Sequence, residues 1–195
     1  MKKYIIITLL IIFSNNIQSQ QIENQNNKTD NELNIKKKKM NSVSVGKIVP
    51  NGKIFNLDKA EISIDKFRGK YLIIDFWATW CAPCLKEAPI FKKFEEKYMN
   101  SNVEFISISV DQEFDYWKKH ITENNWKVNN YWFGMNESES FFSLLYSEHK
   151  MNDSNLILIG LPKYVIISPN GEILNNSDLR PSKPEFEREL IKYLK

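Results

Sequence analysis

Two cysteines, the only two in this chain of 195 residues, stand three positions apart at Cys81 and Cys84. The apolar, β-branched and aromatic run at 71–77 predicts a buried strand, and after a short turn we expect a helix to begin at Cys81. A thiol at a helix N-terminus loses proton affinity, because unpaired N–H groups and the helix dipole stabilise the thiolate. Cys84 falls about one turn later, on the same side and further inside. The spacing therefore predicts that Cys81 attacks a disulfide and that Cys84 resolves the mixed disulfide.

Three other interpretations of the cysteine pair are weaker. A structural bridge across four residues would stabilise the fold by only about 2 kcal/mol, against nearly 5 for a loop of about 100 residues. A zinc site would need two further ligands, and His120 and His149 lie far away in the sequence. A haem attachment site would need a histidine where Leu85 follows Cys84. We therefore expect redox chemistry carried by the two sulfurs, with no cofactor and no metal.

The segment WCAPCLKEAP resembles the thioredoxin superfamily, and within it the secreted or membrane-tethered thiol-disulfide oxidoreductases of the TlpA/ResA type. Their pattern W-C-x-P-C-x-x-E-x-P is matched by Trp80, Cys81, Pro83, Cys84, Glu87 and Pro89. The resemblance covers about residues 43–195. It implies a thioredoxin-like fold with an N-terminal β-hairpin extension, and reduction of disulfides in exported proteins such as apocytochromes.

Two carboxylates are candidates for moving protons at the cysteine pair. Asp75 stands in the apolar run, where an acid must face outward, be paired or be functional. Thioredoxins have a buried acid at the matching position that exchanges the proton of the resolving thiol, whereas the secreted relatives often lack it. Glu87 matches the active-site glutamate of the secreted relatives, although a solvated acid of the first helical turn is an alternative. Desolvation near the thiols would raise the pKa of either carboxyl.

The resemblance also implies roles for Pro162, Leu161 and Trp80, and helix geometry accounts for Pro83 and Pro89. It implies a cis Leu161–Pro162 bond facing the disulfide, with the backbone of Leu161 binding an extended substrate as an added strand. Trp80 would form part of an apolar rim beside the nucleophile. Pro83 is compatible with the first turn of the helix, where N–H groups have no intrahelical partner, and Pro89 predicts a kink.

Composition and charge exclude some classes of protein. Hydrophobic residues make up 42% and charged residues 26% of the chain, which is typical of a globular protein with one domain and tails. The net charge is +3, and it falls to +1 without Lys2 and Lys3. A charge this small gives no electrostatic case for nucleic-acid binding.

The N-terminal part predicts export. Residues 1–19 have the basic, apolar and polar regions of a secretory signal peptide, and the apolar region is too short to span a bilayer comfortably. We expect a periplasmic or cell-envelope protein, membrane-associated if the signal is uncleaved. Residues 20–42 are polar and lack apolar periodicity, which predicts a disordered tether, and residues 43–195 form the domain.

Strand and helix patterns alternate after residue 70, and a hairpin and a helix close the chain. This order predicts an α/β fold with a mixed central β-sheet flanked by helices. Residues 138–146 predict a short helix followed by a polar loop with His149. The sequence Ser182-Lys183-Pro184-Glu185 predicts a capping box at the start of the last helix.

The predicted function is that of a secreted thiol-disulfide oxidoreductase. Its partners would be exported proteins with disulfides and a membrane-bound electron donor, and we expect a monomer. One alternative is a thioredoxin-fold binding module without turnover, against which the intact pair argues. Another is a thiol peroxidase, but Ala78 stands where such enzymes usually have a threonine, and Thr79 is one position away.

Overall fold

The computed structural model describes residues 2–99, 101–126, 129–151 and 154–194. The chain divides after Lys38 into two compact units. An N-terminal helix, α1, spans Lys2–Ser42. Within the described residues, no helix combines the length and the apolar character that crossing a bilayer requires.

The helical conformation of residues 20–42 differs from the disordered tether that the sequence predicts. Positions 20–32 are exposed all around the helix, so no packed face holds them. The segment lacks glycine and proline and contains many Gln, Glu and Lys residues, which favour a helical backbone. Apolar periodicity indicates whether a helix packs against the rest of a protein, not whether the backbone is helical. Its absence therefore led to the prediction of disorder for a segment that is an unpacked helix.

The second unit contains all the strands that the structure describes. In chain order its elements are β1 (Lys53–Phe55), β2 (Glu61–Ser63), β3 (Tyr71–Trp77), α2 (Ala82–Tyr98), β4 (Val103–Ser109), α3 (Phe114–Glu123), β5 (Asn130–Trp132), β6 (Tyr146–Met151), β7 (Ser154–Ile159), β8 (Lys163–Ile167), β9 (Ile173–Asn175) and α4 (Pro184–Tyr193). Short 3-10 helices cover Ile64–Phe67 and Ser140–Leu145.

One mixed sheet forms the centre of this unit. Among the described residues its strand order is β2-β1-β5-β4-β3-β8-β9, with β3 parallel to β4 and antiparallel to β8. Strand β3 is buried along its length except at Tyr71, as its apolar sequence predicts. Because β3 and β4 are parallel, their carboxyl ends lie at the same edge of the sheet, where α2 begins. The prediction of an α/β fold with helices flanking a mixed sheet is confirmed, and the N-terminal hairpin β1–β2 forms one edge of that sheet.

Helices α2 and α4 cover one face of the sheet. Phe91 of α2 and Phe186 of α4 belong to a buried cluster with Ile73 of β3 and Tyr164 of β8. The rings of Phe91 and Tyr164 lie 5.6 Å apart, and those of Tyr164 and Phe186 are separated by the same distance. Asp75 is two residues after Ile73 and therefore shares the face covered by these helices.

A second, two-stranded sheet was not anticipated. The helix predicted at 138–146 is the 3-10 helix Ser140–Leu145, and the predicted polar loop is instead the β6–β7 hairpin. His149 lies within β6, paired with Leu156 of β7, so its placement in a loop was wrong. The polar and charged sequence of β6 lacks the apolar alternation that would identify a strand, because this strand lies outside the main sheet.

The predicted capping box is also wrong. Helix α4 begins one residue later than the box requires, with Lys183 as the N-cap and without a side-chain capping bond. Pro184 occupies the first helical turn, where its fixed φ is favourable. The Ser182 hydroxyl donates instead to Glu87 Oε1 at 2.6 Å, a tertiary contact that local sequence does not reveal.

Candidate active site

Cys81 and Cys84 form a disulfide at the start of α2. Cys81 is the N-cap of the helix, and the backbone N–H of Cys84 donates to Cys81 Sγ at 3.3 Å. The exposed fraction of Cys81 is 4% and that of Cys84 is 1%, and Cys81 alone of the two lines a surface groove. Negative charge on Cys81 would therefore lie beside an N–H donor and the positive end of the helix dipole. These positions fit the predicted order of attack by Cys81 and resolution by Cys84.

The turn before Cys81 is held by a buried carboxylate that the sequence analysis did not single out. Asp111 accepts hydrogen bonds from the Thr79 N–H at 3.0 Å, from the Thr79 hydroxyl at 2.7 Å and from the Ser109 hydroxyl at 2.6 Å. Asp111 lies two residues after the end of β4, at the edge where the carboxyl ends of β3 and β4 meet. An acid at the end of a strand parallel to the one before the cysteines is a signal that could have identified it.

Replacement of Asp111 by alanine is expected to lower the free energy of unfolding of the oxidised protein by about 2–4 kcal/mol, because the donors on Thr79 and Ser109 would lose their charged acceptor. Urea denaturation of the oxidised protein measures this change. Asp58→Ala, at an exposed position of the β1–β2 connection, is the matched control. Equal losses in the two variants would show that Asp111 does not hold the turn.

The groove beside Cys81 has a volume of about 550 Å³. Its walls include Trp80, Pro83 and Leu161, together with Met135 and with Ile159 at the end of β7. Trp80 is 67% exposed, as expected of an apolar rim, although buried tryptophan is far more usual.

The Leu161–Pro162 bond is cis, which confirms the prediction from the resemblance. In the part of the chain that the structure describes, the N–H and C=O groups of Leu161 have no backbone hydrogen-bond partner. These groups stand beside the groove and could pair with an extended segment of another protein.

Asp75 is 2% exposed and faces the α2 side of the sheet. The pKa of its carboxyl is raised to about 8, mainly by burial and also by the Glu87 carboxylate, although the Tyr164 and Ser107 hydroxyls and the charge of Arg180 act to lower it. Asp75 Oδ1 has no hydrogen-bond partner among the described residues. A carboxyl with a pKa in this range can exchange a proton near neutral pH.

Glu87 makes two hydrogen bonds to one residue. Its Oε2 accepts from the Ser182 N–H at 2.9 Å, and its Oε1 accepts from the Ser182 hydroxyl. Glu87 therefore connects the first half of α2 to the segment before α4. Its predicted role in proton transfer stays a prediction.

A buried lysine follows the cis peptide bond. Lys163 donates to Asn176 O at 2.9 Å and to Ser147 Oγ at 3.2 Å, and burial lowers the pKa of its ammonium group. It thus joins the start of β8 to the β6–β7 hairpin and to the segment after β9. Sequence reasoning missed this residue, since a lysine at the start of an apolar strand is usually a solvated one.

The model of the thioredoxin-like family matches residues 69–173, which is more than half of the chain. The chain belongs to the thioredoxin-like family. The matched range includes the cysteine pair, Asp75, Glu87 and the cis peptide bond.

Individual relatives of this thioredoxin-like chain carry related names. It is 55% identical over 47 residues to a thioredoxin of Coprinus comatus, covering 24% of this chain and 44% of that protein. It is 35% identical over 74 residues to the thiol-disulfide oxidoreductase ResA of Bacillus thuringiensis subsp. konkukian, covering 38% of this chain and 43% of that protein. The matches thus span less than half the length of these relatives.

Solved structures show the same fold. The thioredoxin domain of a thiol-disulfide oxidoreductase from Bacteroides vulgatus superposes with a TM-score of 0.63 at 22% identity, covering 79% of this chain and all of that one (100%).

The thioredoxin-like domain brings some predicted site residues together and separates others. Trp80, Cys81 and Leu161 share one groove. Asp75 and Cys84 lie behind it, away from the surface. Pro83 lies in the first turn of α2 and Pro89 lies inside the helix, at the positions that the sequence predicts.

Proposed function

We propose that this protein is a thiol-disulfide oxidoreductase whose Cys81 and Cys84 cycle between a dithiol and a disulfide. One observation carries the proposal: the Cys81–Cys84 disulfide at the N-terminus of α2, with only Cys81 opening on a groove shared with Leu161 of a cis peptide bond. The names of the ResA relatives support the same class of activity.

The reaction needs two sulfurs and a substrate disulfide. The Cys81 thiolate attacks one substrate sulfur, a mixed disulfide forms, and the other substrate sulfur leaves with the bonding electron pair. Cys84 then gives up its proton and attacks Cys81 Sγ, which releases the second substrate thiolate. The protein is oxidised by two electrons, the substrate is reduced by two, and no cofactor takes part. Asp75 accepts the Cys84 proton, with Glu87 influencing the charge of Asp75, and Trp80 and Leu161-Pro162 hold the substrate.

Electrostatics favour the reducing direction. A strong oxidant needs a very stable thiolate in its reduced form. Glu87 and Asp111 place carboxylates near the cysteine pair or the turn before it, Asp75 adds a negative charge only when it ionises near pH 8, and negative charge disfavours a thiolate. The protein then works as a reductant of disulfides in exported proteins, apocytochromes among them, and a membrane-bound electron donor reduces it again. The signal-like residues 1–19 support this setting in the periplasm or cell envelope.

The reduction potential tests the direction. Equilibration of the purified protein with glutathione buffers is expected to give a value nearer that of thioredoxin, about −270 mV, than that of the strongly oxidising periplasmic enzymes, about −120 mV. A value near the oxidising end would overturn the reductant role.

The class of activity is tested by turnover. Dithiol-dependent reduction of insulin by the protein supports an oxidoreductase. A protein that binds disulfide peptides but does not turn them over would instead be a binding module. Rapid consumption of peroxide by the reduced protein would indicate a thiol peroxidase.

A further inference from the structure

A second cavity lies between α2 and the strands β3 and β4. Its volume is about 350 Å³, and it shares no lining residue with the groove beside Cys81. Its inner wall includes Asp75 and Trp77 of β3, Ser107 of β4 and Ala88 of α2. Ala88 is one turn after Cys84 and on the same side of the helix, so the cavity lies on the side of α2 that carries the resolving cysteine.

Two polar side-chain atoms lie at the buried end of the cavity. Among the described residues, Asp75 Oδ1 and Trp77 Nε1 are buried and lack a hydrogen bond, and the two residues are 2% and 3% exposed. Buried polar atoms are costly when they are left unpaired, so such atoms usually bind water. A cavity of this volume holds several water molecules, since each takes about 30 Å³. The small side chain of Ser107, which is paired in register with Asp75, leaves room for them.

The other end of the cavity opens to solvent. Lys92, Lys93 and Glu96 of α2 and Asn125 after α3 line it there, and all four are exposed. This opening is formed by the middle of α2, whereas the substrate groove is formed by the residues around the helix N-terminus. A protein substrate that covers Trp80 and Cys81 would therefore leave this opening uncovered.

We propose that this cavity is a hydrated proton route that connects Asp75 to bulk water independently of the substrate groove. The inference rests on the proposed function. In the resolving step the Cys84 proton moves to the Asp75 carboxylate, the Cys84 thiolate attacks Cys81 Sγ, and the substrate sulfur leaves with the bonding electrons. Asp75 then passes the proton to water in the cavity while the substrate still covers the groove. The substrate disulfide is the only oxidant in this sequence.

The charges around Asp75 are compatible with a neutral carboxyl that exchanges its proton. Glu87 of α2 and Arg180 before α4 act on it with opposite signs, and Tyr164 of β8 is a neutral phenol whose pKa burial raises. The outer cavity carries both signs of charge, from Lys92, Lys93, Glu95 and Glu96.

Filling the cavity tests the proposal. Ala88→Leu places a larger side chain between Asp75 and the opening, and Ser107→Val fills the inner end with a residue that strands favour. Ala60→Leu makes the same change as the first variant at an exposed position outside the cavity.

The probe is the infrared carbonyl band of protonated Asp75 in the oxidised protein at pH 6, identified by its absence in Asp75→Asn.

After rapid mixing with D₂O, both filled variants are expected to exchange the Asp75 proton more slowly than wild type by at least about tenfold. Ala60→Leu is expected to exchange like wild type. In the reduced protein the filled variants should also release the second substrate thiol more slowly, while alkylation of Cys81 keeps its wild-type rate.

Two results distinguish this inference from the proposed function. Wild-type exchange rates in both filled variants would overturn the proton route, and disulfide reduction could continue unaffected. Slowed exchange in a protein that never reduces insulin would support the hydrated route and reject the oxidoreductase.

Discussion

Cys81→Ser is expected to abolish disulfide reduction, with a loss of about a thousandfold or more, because it removes the group that forms the covalent intermediate. Cys84→Ser is expected to stop the reaction one step later. Its Cys81 can still attack, but no second thiol releases the substrate, so mixed disulfides accumulate. Insulin reduction measures the first effect, and non-reducing electrophoresis with mass spectrometry measures the second.

The different outcomes of the two variants follow from the placement of the sulfurs. Cys81 lies at the N-cap with an N–H donor directed at its sulfur and with access to the groove, whereas Cys84 lies inside the first turn. Alkylation of the reduced wild-type protein at neutral pH should therefore modify Cys81 first. Faster modification of Cys84 would reverse the two roles. Ser44→Cys, which adds a thiol at an exposed position before β1, controls for unspecific reaction of accessible thiols.

The central strand and the helix after it could be predicted because local sequence determines them. The run that forms β3 is apolar and β-branched, and the residues after Cys81 have apolar positions at helical spacing. The boundaries of α2 and the places of Pro83 and Pro89 follow from the same local signals. The cis bond before Pro162 could be expected only from the family resemblance, since X–Pro bonds in folded proteins are cis in only about 5% of cases.

The missed features depend on contacts between distant segments. Ser182 has the local sequence of a helix cap, but 95 positions separate it from Glu87, whose carboxylate binds it instead. Asp111 and Thr79 are 32 positions apart and meet because β3 and β4 are parallel neighbours. The β6–β7 hairpin lies outside the main sheet, and the polar strand β6 carries no alternating pattern. Pairing of this kind becomes visible only when the topology is known.

The environment of Asp75 could not be predicted from the sequence, because it also depends on contacts between distant segments. The sequence left three possibilities for an acid in an apolar strand: exposed, paired or functional. The covering helices bury it, and no cation forms an ion pair with it among the described residues. We propose that this carboxyl is functional, and the proposal makes two predictions for the variant Asp75→Asn, a gain in stability and a loss of rate.

The first is that Asp75→Asn stabilises the oxidised protein at high pH. The pKa of this carboxyl is about 8 in the folded protein, against a usual value of 3.8, so between these values the folded state binds more protons than the unfolded state. Wild-type stability must then fall as pH rises from about 4 to about 8. The neutral amide has no such dependence, and the gain of Asp75→Asn should grow over this window to about 6 kcal/mol above pH 8. Urea denaturation at a series of pH values measures it.

The second is that the same substitution slows the resolving step, by about a hundredfold, because an amide cannot accept the Cys84 proton. A rapid-mixing experiment that monitors the release of the second substrate thiol from the mixed disulfide measures this step. In wild type its rate should rise as pH increases through about 8, the pKa of Asp75, while in Asp75→Asn that rise should be absent.

Asp58→Asn makes the same chemical change at an exposed position and should alter neither stability nor rate. A variant that is stabilised at high pH but resolves mixed disulfides as fast as wild type would show that Asp75 is buried without acting on the thiol. In that case Glu87→Gln becomes the decisive comparison. Glu87 lies on the Cys84 side of α2 and is the second carboxylate that the resemblance places near the cysteine pair. A slow, pH-independent resolving step in Asp75→Asn, together with its gain in stability, would show that the energetically unfavourable burial of this acid is retained for proton transfer.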